Sequence, residues 1–106
     1  MKYAEPGFEI MLAGNRLSFS GKLEKSNYTE IDAFLRKIDQ ELSTQMCVID
    51  LIKLSFLNSS GIRSLATFIL GSPKMFELHI NKSVTWQQES IPALTYIKPE
   101  GIKIVG

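Results

Sequence analysis

The sequence is poor in the residues that build metal sites and disulfide frameworks. It contains one cysteine, Cys47, and one histidine, His79, in 106 residues. A single cysteine cannot close an intramolecular disulfide, and this pair falls short of the ligand set of a structural zinc site. Gly-rich phosphate-binding loops of the forms GxxxxGK[ST] and GxGxxG are also absent. We therefore expect no metal and no cofactor.

The chain also lacks an excess of charge of either sign. Twelve Lys and Arg residues balance eleven Asp and Glu residues, for a formal net charge of +1. This balance provides no strong field to attract nucleic acid or an anionic membrane. No apolar run approaches the roughly 20 residues that span a bilayer, and Glu5 and Pro6 lie where a signal peptide needs an apolar core. We expect a cytoplasmic protein that binds neither nucleic acid nor membranes.

What remains is an ordinary globular composition, with 44% hydrophobic and 22% charged residues. The length suits one domain over residues 1–106. Alternating residues on both sides of Gly14-Asn15 predict a hairpin over residues 8–20. A helix is predicted to begin at about Tyr28, with Asn27 and Glu30 resembling a capping box. Its apolar stripe comprises Ile31, Phe34, Leu35, Ile38 and Leu42.

The second half of the chain alternates strands and helices. The nearly continuous apolar run 46–54 predicts a central strand covered on both faces. A helix follows that ends at Gly71-Ser72-Pro73, and its predicted apolar stripe is Ile62, Leu65, Ala66, Ile69 and Leu70. Strands are expected over 76–80 and 101–105, separated by a helix that starts or kinks around 90–92. The fold class is therefore α/β: a single mixed sheet of about five strands with about three helices packed against it.

The segment 56–62 is the most informative for function. Asn58 and Ser59 are both good helix N-caps, and Gly61 permits close approach of a backbone or a ligand. One interpretation is simply a capped helix. The other is that a serine hydroxyl at a helix N-terminus is a place for a phosphoryl group, because the amides there favour negative charge.

A family resemblance supports the second interpretation. Val48-Ile49-Asp50-Leu51 followed by Phe56-Leu57-Asn58-Ser59-Ser60-Gly61-Ile62 and a helix resembles the motif of STAS domains of the anti-sigma factor antagonist type. Trp86-Gln87-Gln88 and the closing strand resemble a bacterial STAS-like regulatory subfamily. The resemblance implies a non-enzymatic switch protein that binds a partner kinase or anti-sigma factor. It also implies that the kinase phosphorylates Ser59, with Ser60 as the second choice, and that a phosphatase restores it.

This sequence departs from the family pattern at Asn58, where the family has Asp. Asn keeps the capping geometry but loses the charge. We expect the partner to contact the start and exposed face of the helix, through Asn58, Ser60, Gly61, Arg63, Ser64 and Thr67. Two alternatives remain: a STAS-like scaffold or ligand-binding module without phosphorylation, and a small enzyme that uses Asp50, His79 and the serines.

Overall fold

The computed structural model describes residues 1–24 and 28–106, and within them the strands form one six-stranded sheet. The strands are β1 (Lys2–Glu5), β2 (Phe8–Ala13), β3 (Arg16–Leu23), β4 (Met46–Leu57), β5 (Met75–His79) and β6 (Ile102–Val105). The helices are α1 (Tyr28–Glu41), α2 (Ser59–Gly71) and α3 (Thr85–Ser90), followed by a 3₁₀ helix over Pro92–Tyr96. The start of α1 agrees with the prediction, whereas the predicted capping residue Asn27 lies outside the described residues.

The sheet is mixed, and its strand order follows the chain from β1 to β6. Strands β1 to β3 pair antiparallel, and β3 to β6 pair parallel. The α/β class and the single mixed sheet are therefore confirmed. The additional strand is β1, which escaped prediction because Tyr3 is the one residue in it with strong strand preference. Tyr3 fixes β1 through edge contacts with the rings of Phe8 and Phe34.

The helices cover one face of the sheet. Each parallel connection advances to the next strand, and right-handed crossovers in one direction place successive helices on the same side. In β4, Cys47, Ile49 and Leu51 are buried while Val48 and Asp50 are half-buried. The prediction that β4 is covered on both faces was thus wrong, because Val48 and Asp50 lie on the face that no helix covers.

Strand β4 carries two irregularities in its pairing with β3. Beyond Leu51 the buried residues occur at every third position, at Leu54 and Leu57. The register shifts at the same places, between Ser18 and Ser20 and again between Gly21 and Lys22. Extra residues of this kind are β-bulges, which bend a strand and turn a chosen side chain inward. They keep the last part of β4 in the core as it leads to α2.

Helix α2 ends at Gly71 as predicted, but its buried face differs from the predicted stripe. The buried residues are Gly61, Ser64, Leu65, Phe68 and Ile69. Leu70, predicted to be in the core, is 65% exposed. The buried face is shifted by one position, and the missing side chain of Gly61 lets the start of the helix pack closely against Leu57 and Leu23. Around 90–92, where a helix was predicted to start or kink, α3 ends at Ser90 and the 3₁₀ helix begins at Pro92.

Candidate functional site

The start of α2 is organised by Asn58. Its backbone is extended, and its side-chain oxygen Oδ1 accepts a hydrogen bond from the Gly61 amide at 2.9 Å. The Asn58 amide donates to the Leu23 carbonyl at 3.1 Å, which ties the cap to the end of β3. Asn58 is therefore the N-cap, which settles the open choice between Asn58 and Ser59.

Ser59 occupies the first position of α2 and is exposed. Its hydroxyl makes no hydrogen bond to any residue that the structure describes. Because Asn58 performs the capping role, the hydroxyl of Ser59 is accessible to another molecule. Ser60, the second candidate, is half-buried.

Gly61 is buried, and its missing side chain makes room for the core rather than for a partner. A Cβ atom at this position would lie 2.4 Å from Cδ1 of Leu57 and 2.7 Å from Cδ2 of Leu23. Both leucines are almost completely buried. The expectation that Gly61 contacts a partner is therefore corrected: glycine is required here for packing.

The three polar residues expected on the outer face of α2 divide into two groups. Arg63 and Thr67 are exposed, as expected. Ser64 is 3% exposed and belongs to the buried stripe, so its placement on the outer face was wrong. The reason is the rotation of α2, which turns position 64 toward α1. The available partner surface at this helix consists of Ser59, Arg63 and Thr67 with part of Asn58 and Ser60.

A groove runs between α1 and α2 beside this surface. It consists of two adjoining cavities of about 390 Å³ each, which share Asp32, Ser64 and Thr67. The cavity at the start of α2 is also lined by Tyr28, Ser60 and Arg63. The other is also lined by Leu35, Arg36, Asp39, Gln40, Phe68 and Gly71.

Helix α3 supports the bulged end of β4. The fully buried amide of Gln87 donates to the carbonyls of Leu51 at 2.7 Å and Leu54 at 2.6 Å. Its oxygen accepts from the Asn81 amide at 2.8 Å, and the indole of Trp86 donates to the Ser55 carbonyl at 2.7 Å. Sequence reasoning noted Trp86 and Gln87 only as part of a family signature and missed this positioning role. The signal in the sequence that could have indicated this role was a polar Gln next to a Trp on a short helix.

Asp50 and His79 lie on the open face of the sheet, next to each other in register. Asp50 pairs with Arg16 at 2.8 Å and accepts from the Ile52 amide at 3.0 Å. His79 Nε2 lies 2.6 Å from a carboxylate oxygen of Glu77. The contacts with Arg16 and Ile52 satisfy the Asp50 carboxylate within the fold.

Cys47 is fully buried in the core. Burial raises the pKa of its thiol to about 11, an effect that nearby Lys74 partly opposes. The thiolate is the nucleophilic form, so this side chain is inert at neutral pH. Within residues 1–24 and 28–106, no group of three or more His, Cys, Asp or Glu side chains could hold a metal ion. Every helix in that part of the chain is too short or too polar to cross a bilayer.

Comparisons with known proteins do not identify a family. No family model matches the chain, and no curated protein matches it. Among solved structures, an enoyl-CoA hydratase/isomerase-like protein of Acinetobacter baumannii is similar over 74% of this chain, with 14% identity and a TM-score of 0.48. The aligned part spans 41% of that protein's length.

Proposed function

We propose that this chain is a cytoplasmic, non-enzymatic regulatory protein of the STAS anti-sigma factor antagonist type. In this proposal a partner kinase or anti-sigma factor binds the start of α2, the kinase phosphorylates Ser59, and a phosphatase reverses the change. The proposal is supported by the different roles of two adjacent residues at the start of α2. Asn58 satisfies the Gly61 amide, and the adjacent Ser59 hydroxyl is exposed.

An exposed hydroxyl is necessary because a phosphoacceptor must enter the active site of another protein. The position on α2 also suits the product. A phosphoryl group brings roughly −1.5 to −2 charges, and the first turn of a helix favours negative charge. Asp and Glu are absent from the first turn of α2, so no side-chain charge in that turn repels the phosphate.

The effect of modification should therefore fall on the partner rather than on the fold. A partner surface that accepts a neutral hydroxyl at close range would meet a bulky dianion. Desolvating such a charge without a matching cation is costly. Phosphorylation would release the partner while the domain remains folded.

The alternative is a STAS-like scaffold or ligand-binding module that is never phosphorylated. Asn58 favours it, because the family's Asp is replaced by a neutral side chain while the cap is retained. In that case a stable complex would form and Ser59 would stay unmodified throughout.

Phosphosite mapping distinguishes the two. Wild type, Ser59→Ala and Ser60→Ala are incubated with ATP and the cognate kinase, and the products are analysed by mass spectrometry. If Ser59 is the acceptor, we expect one phosphate on wild type and on Ser60→Ala, and none on Ser59→Ala. Equal labelling of Ser59→Ala and wild type would overturn Ser59 as the acceptor. A stable complex with the kinase without any phosphorylation would favour the scaffold over the switch.

A further inference from the structure

The groove between α1 and α2 has an unusual floor. Ser64 is 97% buried by residue, yet its side chain lines both cavities of the groove. No hydrogen bond among the residues that the structure describes involves this hydroxyl, and its oxygen is not one of the fully buried side-chain atoms. The hydroxyl is therefore open to the groove, where it can bond to a group that enters.

The walls of the groove carry positive charge that the fold does not use. Arg36 on α1 and Arg63 on α2 are exposed, and neither forms an ion pair within the described part of the chain. The carboxylate of Asp39, by contrast, is engaged by the Ser72 hydroxyl at 2.7 Å and lies 3.9 Å from Lys74 Nζ. The two arginines thus outnumber Asp32, the remaining acidic group of the groove, which also lacks an ion pair among those residues.

The groove also offers apolar contact. Leu35 and Phe68 line one cavity and are at least nine-tenths buried. Gly71 closes that end of the groove, and apart from its own helix turn no atom lies within 4 Å of the position where its Cβ would be. An occupant therefore needs an apolar group to contact Leu35 and Phe68, and acidic groups to pair with the arginines.

We propose that this groove binds a short acidic peptide segment of a partner protein. An apolar side chain of the segment would contact Phe68, and carboxylates on either side would pair with Arg36 and Arg63. Arginine is suited to this because its planar guanidinium donates two parallel hydrogen bonds to a carboxylate. The Ser64 hydroxyl would bond to the peptide backbone. The inference deepens the proposed function and rests on it only in assigning the segment to the regulatory partner.

A selection from a phage-displayed library of random linear peptides tests the proposal on the full chain. We expect enriched peptides that combine acidic and apolar residues. Their affinity should fall at least about tenfold, or roughly 1.4 kcal/mol, for the double variant Arg36→Glu/Arg63→Glu. The matched control is Lys37→Glu/Lys103→Glu, which makes the same change in net charge at exposed positions outside the groove. It should bind within about threefold of wild type.

A second variant guards against misfolding of the first. Thr67 is exposed and lines both cavities, so Thr67→Tyr fills the groove without entering the core. It should also lose the peptides, with an unchanged denaturation midpoint. In NMR spectra of the wild type, the amide chemical-shift changes caused by adding the peptide should concentrate at residues 32–36 and 63–68.

Four outcomes would overturn the proposal: no enrichment, enrichment of basic or neutral peptides, equal binding to wild type and the groove variants, or full competition by inorganic phosphate. None of these arms alters Ser59. A negative result here therefore leaves the phosphorylation proposal standing, and absence of Ser59 phosphorylation leaves the groove result intact.

Discussion

The side chain of Asn58 accepts a hydrogen bond from the backbone amide of Gly61 at 2.9 Å, and the intervening Ser59 stays exposed. The contact gives the first prediction. Asn58→Ala should lower the free energy of unfolding by about 0.5 to 2 kcal/mol, because the Gly61 amide loses its acceptor. Asn58→Asp should preserve the cap and match or exceed wild type by up to about 1 kcal/mol, since negative charge is favoured there. Urea denaturation measures the free energy of unfolding of both variants. Equal losses of stability in Asn58→Ala and Asn58→Asp would contradict the capping role.

Gly61 provides the second prediction. Gly61→Ala should destabilise the fold by about 1 to 3 kcal/mol, because the new methyl group would overlap the buried side chains of Leu57 and Leu23. Gly71 is the matched control on the same helix, since a Cβ there meets no atom within 4 Å apart from its own helix turn. Gly71→Ala should be neutral or stabilising by up to about 1 kcal/mol. Thermal or chemical denaturation that ranks the two in the opposite order would refute the packing role of Gly61.

The third prediction concerns Gln87, which joins α3 to the bulged part of β4. Gln87→Leu should cost at least about 2 kcal/mol, because the Leu51 and Leu54 carbonyls lose their donor in a buried site. The neighbouring Gln88 is exposed, so Gln88→Leu should change stability by less than about 0.5 kcal/mol. Hydrogen exchange should also become faster at the amides of residues 51–57 in Gln87→Leu. Similar stability losses in both variants would show that the buried amide has no special role.

The fourth prediction follows from the buried thiol. Burial raises the pKa of Cys47 from 9.0 to about 11, so the unfolded chain loses this proton first as pH rises. The contribution to stability is therefore complete below about pH 9 and is lost as pH rises toward about 11. Its slope is at most about 1.4 kcal/mol per pH unit.

Comparison with Cys47→Ala isolates this contribution from the lysines and tyrosines that titrate in the same range. The variant should lose less stability than wild type between these pH values in parallel urea titrations. A thiol reagent at neutral pH should label wild type only after unfolding. Rapid labelling of the native protein would contradict the burial of Cys47.

Much of the fold was predictable because its periodicities are local. The hairpin at Gly14, the start of α1 and the break at Pro92 each depend on a few adjacent residues. The bulges of β4 were not predictable, because they are held by Gln87, which lies more than 30 positions away in sequence. The buried face of α2 was assigned one position off for a related reason. Gly61 packs closely against Leu57 and Leu23, and Ser64 faces α1, and hydrophobicity alone does not reveal either.

The candidate site was partly predictable. The exposure of Ser59 and Arg63 follows from their positions on an amphipathic helix. The burial of Ser64 and the groove beside it depend on how α1 meets α2, which is a tertiary property. The sequence motif therefore located the helix start, while the partner surface required the structure.

Calorimetry with the cognate kinase or anti-sigma factor measures whether phosphorylation of Ser59 controls partner binding. Affinities are compared for wild type, Ser59→Asp, the protein phosphorylated on Ser59, and Ser59→Ala. Ser59→Asp and the phosphorylated protein should keep a native-like melting temperature and bind the partner at least about tenfold more weakly than wild type, or roughly 1.4 kcal/mol. Ser59→Ala should bind like wild type. Equal affinities for wild type, Ser59→Asp and the phosphorylated protein would contradict control by phosphorylation and favour a passive scaffold.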